Sequence, residues 1–132
     1  MSQGNVEIVR RAHAALARGD TGGFIREMDE DVKGMSRVMD AEGVTYSGHD
    51  GMRRFVDDLL SVFPDFRSEV VRAVEGNDAV VAELRFGGSA TRSGLAVEGR
   101  TWQALTFRGG KILSFRAYDT EAEALEAVGL SE

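Results

Sequence analysis

Apolar side chains recur along the chain first with the period of a helix and later with the period of a strand. Over residues 5–18, Val6, Val9, Ala12 and Leu16, flanked by Ile8 and Ala15, fall on one helical face, and Gly19-Asp20 supplies the stop. A short second segment follows Thr21, read as its N-cap, with Phe24, Ile25 and Met28 as its apolar positions. Residues 32–39 (VKGMSRVM) read as a strand that runs into the turn-like DAEG. The clearest helix is SGHDGMRRFVDDLLSVF, about 48–63. Met52, Phe55, Val56, Leu59 and Phe63 form its buried stripe, Ser47 and Asp50 make a capping-box-like start, and Pro64 ends it.

From Phe66 onward the period changes to two. Strands are expected at 67–76, 78–90, 97–108 and 111–118, with turns at Gly76-Asn77-Asp78, Ser93-Gly94 and Gly109-Gly110. Thr120 with Glu123 three residues on is a second capping box. It opens a last helix carrying Leu125 and Val128, stopped by Gly129-Leu130. Helices gathered early and strands late predict an α+β domain with helices packed on one face of a curved antiparallel sheet, not a doubly wound fold.

Composition narrows the function classes. The chain has 132 residues, the size of one domain, and we read residues 1–132 as one. With 42% hydrophobic and 29% charged residues it has the balance of a globular protein. There is no cysteine, which excludes disulfides, thiolate metal sites and thiol nucleophiles and accords with a cytoplasmic location. A net charge of −6, with arginines scattered among acids, argues against a nucleic-acid partner. The N-terminus MSQGNVEIVRR lacks the apolar run of a secretory signal, and no run approaches the roughly 18 apolar residues that span a bilayer, so no membrane partner is expected.

Four stretches, AALARGD, TYSGHDGMRRF, GGKILSFRAYD and EALEAVGL, occur in an order that resembles the SnoaL-like proteins of the ketosteroid isomerase and nuclear transport factor 2 superfamily. The resemblance implies a cone-shaped α+β barrel, its sheet wrapped by three main helices around one apolar pocket. It does not imply one activity, because the fold hosts isomerases, cyclases, epoxide hydrolases and noncatalytic binders. The tyrosine and two acids of ketosteroid isomerases fall on Ala12, Gln103 and Ser36, so that set is not matched. The arginine–aspartate set of limonene-epoxide-hydrolase-like members is absent too, with Glu83-x-Arg85 in reversed order and Ala117 at the last aspartate. SnoaL-type polyketide cyclases use an aspartate near the end of the last strand as acid/base, and Asp119 lies close to that place.

By the same analogy Phe115, Ala117 and Asp119 are concave on the last strand, as are Thr101, Gln103, Leu105 and Phe107 on the strand before. Asp119 at the rim of an apolar cavity would suit proton transfer; beside Thr120 it would equally suit a helix cap. Glu83 and Arg85 could face the pocket and orient a polar group of the ligand. If instead Val80, Ala82, Leu84 and Phe86 are the core side, the pair is solvated. Phe24, Met28, Met35, Phe55, Leu59, Phe107 and Phe115 are the expected pocket wall, or simply a dry core. The candidate site is thus Asp119 as acid/base, with Glu83, Arg85, Gln103, Phe115, Met35 and Phe55 around the ligand. His13 and His49 read as structural, and neither a metal nor a cofactor is expected.

The function expected is that of a small-molecule pocket protein, a cyclase or isomerase moving protons on an apolar, oxygenated or polycyclic metabolite. The alternative is a noncatalytic binding or accessory module. A polar cluster inside the cavity favours the first, and a wholly apolar cavity the second. By the same analogy and the parity of Leu105 and Phe107, Trp102 falls with Ala104 and Thr106 on the convex face, where a homodimer would cover the indole; a slip of one residue would instead turn Trp102 inward and leave Gln103 solvated.

Overall fold

The computed structural model describes residues 2–35 and 45–130. Helix α1 (Ser2–Ala17) and α2 (Thr21–Arg26) lead into β1 (Met28–Met35). A short β2 (Thr45–Ser47), α3 (Gly48–Val62) and four strands follow: β3 (Arg67–Glu75), β4 (Ala79–Ser89), β5 (Ala96–Arg108) and β6 (Lys111–Tyr118). Helix α4 (Glu121–Ala127) comes last. Residues 36–39 of the expected first strand, with Ser36 and the DAEG turn, lie outside the described residues.

One six-stranded sheet has the order β2-β1-β6-β5-β4-β3. The expected curved sheet is antiparallel in all its pairs except β1 with β6, which run parallel. A hairpin cannot make that parallel pair. It needs a long crossover, and β2, α3 and the strands β3–β5 form one. The meander itself follows the period-two pattern. The β5–β6 turn is Gly109-Gly110, both at positive φ (58° and 77°), as a two-residue hairpin of this hand requires.

Both long helices bury the stripes their spacing sets out. Val9, Ala12 and Leu16 of α1 and Met52, Phe55, Val56 and Leu59 of α3 are buried against the concave face of the sheet. On β4, Val80, Ala82 and Leu84 face this core, while Val81 faces the other way into a second cluster with Ala104, Ala124 and Leu125. Helix α4 covers that convex patch. Trp102 packs there half-buried, which corrects the expectation that a lone chain leaves the indole in water.

The helix caps differ in part from their sequence reading. Asp20, not Thr21, caps α2, its carboxylate accepting from Gly23 N at 2.9 Å. Ser47 is the N-cap of α3 but its side chain makes no capping bond. Thr120 caps α4 as read, accepting from Glu123 N at 3.2 Å, and Leu130 N donates to Leu125 O across Gly129 at φ 70°.

Candidate functional site

Between α1, α3 and the concave face lies a cavity of about 180 Å³. Met35 closes it from β1, Phe55 and Leu59 from α3, Leu84 and Phe86 from β4, and Phe115 from β6. A dry cavity of roughly 150 Å³ lined by apolar side chains holds a benzene-sized molecule. This one therefore accepts a single ring, with any larger part of a ligand at the mouth. A smaller void of about 30 Å³ adjoins it, walled by Phe24 and Met28 among others. Phe107 is buried in the core on the same side.

Polar groups enter this apolar space at named points. Ser68 from β3, Arg100, Thr101 and Gln103 from β5, and His13 from α1 all line it. Thr101 Oγ1 is committed, donating to Tyr118 O at 3.0 Å. His13 is held at both ring nitrogens: Nδ1 lies 2.7 Å from Ser68 Oγ and Nε2 lies 3.0 Å from Gln103 Oε1. Burial pushes the imidazole below its usual 6.5, while the bond to Gln103 pulls the other way. His13 is thus held neutral near pH 7, with one nitrogen donating and the other accepting.

Asp119, just beyond β6, lines the same cavity and is exposed at its mouth. The capping role that its sequence position also allowed falls to Thr120. Among the expected binding residues, Gln103, Phe115, Met35 and Phe55 converge on the cavity with Asp119. Glu83 and Arg85 do not. They pair in register with Trp102 and Arg100 on the convex side, so the reading that placed them toward the ligand is corrected. Glu83 meets Arg100 at 3.3 Å and Arg85 meets Glu69 at 3.7 Å. The cause is the alternation of β4: its apolar residues take the concave face, and a period of two sends the charges outward.

His13 was missed as a site residue and read as structural. Its spacing held the signal, since it sits four residues after Val9 and three before Leu16, both buried. A polar residue inside a buried stripe must find partners there, and Ser68 and Gln103 are those partners. His49 is structural, its Nε2 donating to Met28 O at 3.0 Å. Among the described residues, no group of three His, Asp or Glu side chains could hold a metal ion, and no helix is long and apolar enough to cross a membrane.

The family model of the SnoaL-like domain matches residues 9–115. No curated protein matches the chain in sequence. Solved structures match over nearly its whole length. One is a protein of ketosteroid isomerase-like fold from Catenulispora acidiphila, in complex with trimethylamine; at 20% identity it covers 95% of this chain and 94% of its own, with a TM-score of 0.77. TerC, co-crystallised with polyporic acid, has 21% identity, coverage of 96% and 98%, and a TM-score of 0.76. A candidate SnoaL-like polyketide cyclase from Jannaschia sp. CCS1 has 17% identity, coverage of 99% and 95%, and a TM-score of 0.77. At these identities the likeness is one of fold.

Proposed function

The chain belongs to the SnoaL-like domain family, and from that premise we propose that it binds a small, apolar, oxygenated metabolite in the cavity and moves protons on it, as a cyclase or isomerase does. The observation that supports catalysis over mere binding is the set of polar groups meeting in a largely apolar space, His13, Ser68, Gln103 and Asp119 among them. Asp119 acts as acid/base at the mouth, while Phe115, Phe55 and Met35 hold the apolar body of the ligand and Gln103 meets its oxygen. Relatives of the same fold were crystallised with trimethylamine and with polyporic acid, so small-molecule occupancy is within its range.

The test is exchange of the α-protons of a single-ring aryl methyl ketone for deuterium, followed by NMR. The wild-type protein should accelerate exchange over buffer. Asp119→Asn should reduce that acceleration by about 10²- to 10⁴-fold, the usual worth of a positioned acid/base. Its thermal midpoint should stay near that of the wild type, because the residue is exposed and Thr120 makes the cap. Unchanged exchange in Asp119→Asn would remove the residue from the mechanism and favour a binding module.

The same reading includes a homodimer through the convex face. With α4 over Trp102, the uncovered part of that face is the groove beside Lys33, Thr106, Ser114 and Arg116. Thr106 and Ser114 bond each other across β5 and β6 at 2.6 Å and form its small, polar floor. Sedimentation at micromolar concentration should give a dimer that Thr106→Arg converts to folded monomer by placing like charges across the twofold axis. A wild-type monomer overturns this part.

A further inference from the structure

Among the described residues the His13 ring makes no bond to the backbone. Both its nitrogens are spent on two other side chains of the cavity, and this sets which hydrogen-bonding groups those two have left. With Gln103 Oε1 at Nε2, that nitrogen carries the proton and donates. In a neutral ring Nδ1 then has only a lone pair, so the Ser68 hydroxyl must donate to it. Two capacities remain. Ser68 Oγ keeps lone pairs that can accept, and the Gln103 amide nitrogen, which makes no hydrogen bond among the described residues, keeps its two N–H donors. Ser68 and Gln103 stand on β3 and β5, one on either side of the imidazole, and both line the cavity.

An acceptor and a donor joined through one ring match a hydroxyl group, which donates once and accepts once. We propose that Ser68 and Gln103, polarised and oriented by His13, form a hydroxyl-recognition subsite, and that the ligand is a single-ring compound bearing a hydroxyl. Its O–H donates to Ser68 Oγ and its oxygen accepts from the Gln103 amide, while Phe55 and Phe115 take the ring. This deepens the proposed function and rests on the cavity being a ligand site. Here His13 is a positioning residue, acting through Ser68 and Gln103.

Protonation of His13 inverts the subsite. An imidazolium donates from both nitrogens, so Ser68 Oγ must accept from Nδ1–H and its own hydroxyl turns toward the ligand as a donor. The site then receives an oxygen without a proton. The titratable or charged groups around the ring are few. Asp119 stands beyond β6, and Arg100 on β5 has its guanidinium on Glu83. The other walls offer apolar side chains, Leu16 from α1, Phe55 and Leu59 from α3, Leu84 from β4 and Phe115 from β6.

The experiment titrates phenol, toluene and anisole into the wild type, Ser68→Ala and Gln103→Leu, by calorimetry at pH 7.5 and at successively lower pH. An apolar cavity without the subsite prefers toluene, because burying a hydroxyl costs its hydration. The subsite reverses the order. Wild type should bind phenol about tenfold more tightly than toluene at pH 7.5, roughly one charge-free hydrogen-bond pair. Ser68→Ala and Gln103→Leu should each erase most of that advantage and leave toluene within about twofold. Anisole should gain on phenol, in wild type only, at a pH below the usual imidazole range, where His13, its pKa lowered by burial, takes up its proton. Toluene binding with no preference for phenol, or a preference that survives Ser68→Ala, overturns the subsite and leaves the proposed function standing. If none of the three binds, the ligand-site reading falls and the subsite with it.

Discussion

Phe55→Ala is expected to lower the free energy of unfolding by about 3–5 kcal/mol, the range for a buried phenylalanine cut to alanine. Three rings meet this one: Phe24 at 6.0 Å, Tyr46 at 5.4 Å and Phe115 at 5.9 Å between centroids. Tyr46 is itself fixed by donating from its hydroxyl to Asp58 at 2.9 Å, so it cannot easily swing in to fill the space. Phe55 also walls the cavity, so truncation joins a new void to an existing one instead of letting the core close over it. The cost grows with the volume left empty, which places this site toward the upper end of the range. Urea unfolding at constant slope would measure it. A loss below about 1 kcal/mol would show that the wall relaxes and that the cavity is not the rigid space described. Saturating toluene should restore part of the loss, since a ligand bound only by the folded state stabilises it.

How far the site was legible in the sequence depended on which physical rule each residue obeyed. Gln103 and Phe115 were expected on the concave face from the family resemblance together with strand alternation across the β5–β6 hairpin, whereas Asp119, at the strand's end beside Thr120, stayed open by one residue of register. Glu83 and Arg85 stayed open because one slip of register exchanges the faces of β4, and only its partner strand decides the matter. His13 was passed over because helical spacing says which residues are buried, not which polar groups will meet them. Ser68 is 55 residues away in sequence and Gln103 is 90. Met28 illustrates local ambiguity. It carried on the apolar pattern of the second helix, yet it begins β1, because Arg26 ends α2 and Glu27 caps it. The parallel β1–β6 pair had no local signal at all, being a contact between the first strand and the last.

Gly34→Ala should be the most damaging one-atom change near the site. Gly34 lies on β1 between Tyr46 of β2 and Phe115 of β6, its partners in the sheet. A Cβ built on it overlaps the outer edge of the Phe115 ring, at Cζ and both Cε atoms. That ring is buried, tilted against Phe55 and part of the cavity wall. It can yield only by moving into the ligand space or by pushing β1 off β6. Overpacking of a close-packed core costs about 1–3 kcal/mol and sometimes more, so both stability and phenol or toluene affinity should fall. Backbone strain is not the cause, because Gly34 is not at positive φ. Gly4→Ala, in α1 with nothing within 4 Å of the added carbon, supplies the contrast. It should be neutral or stabilising by up to about 1 kcal/mol, as alanine for glycine in a helix is. If overlap with the ring is the mechanism, Phe115→Ala must relieve it. The double variant Gly34→Ala/Phe115→Ala should then be more stable than the two single losses added together, a coupling of about 0.5–3 kcal/mol for residues in contact. Additive losses would show that Phe115 and Gly34 do not share the space, and that this wall of the cavity is shaped differently.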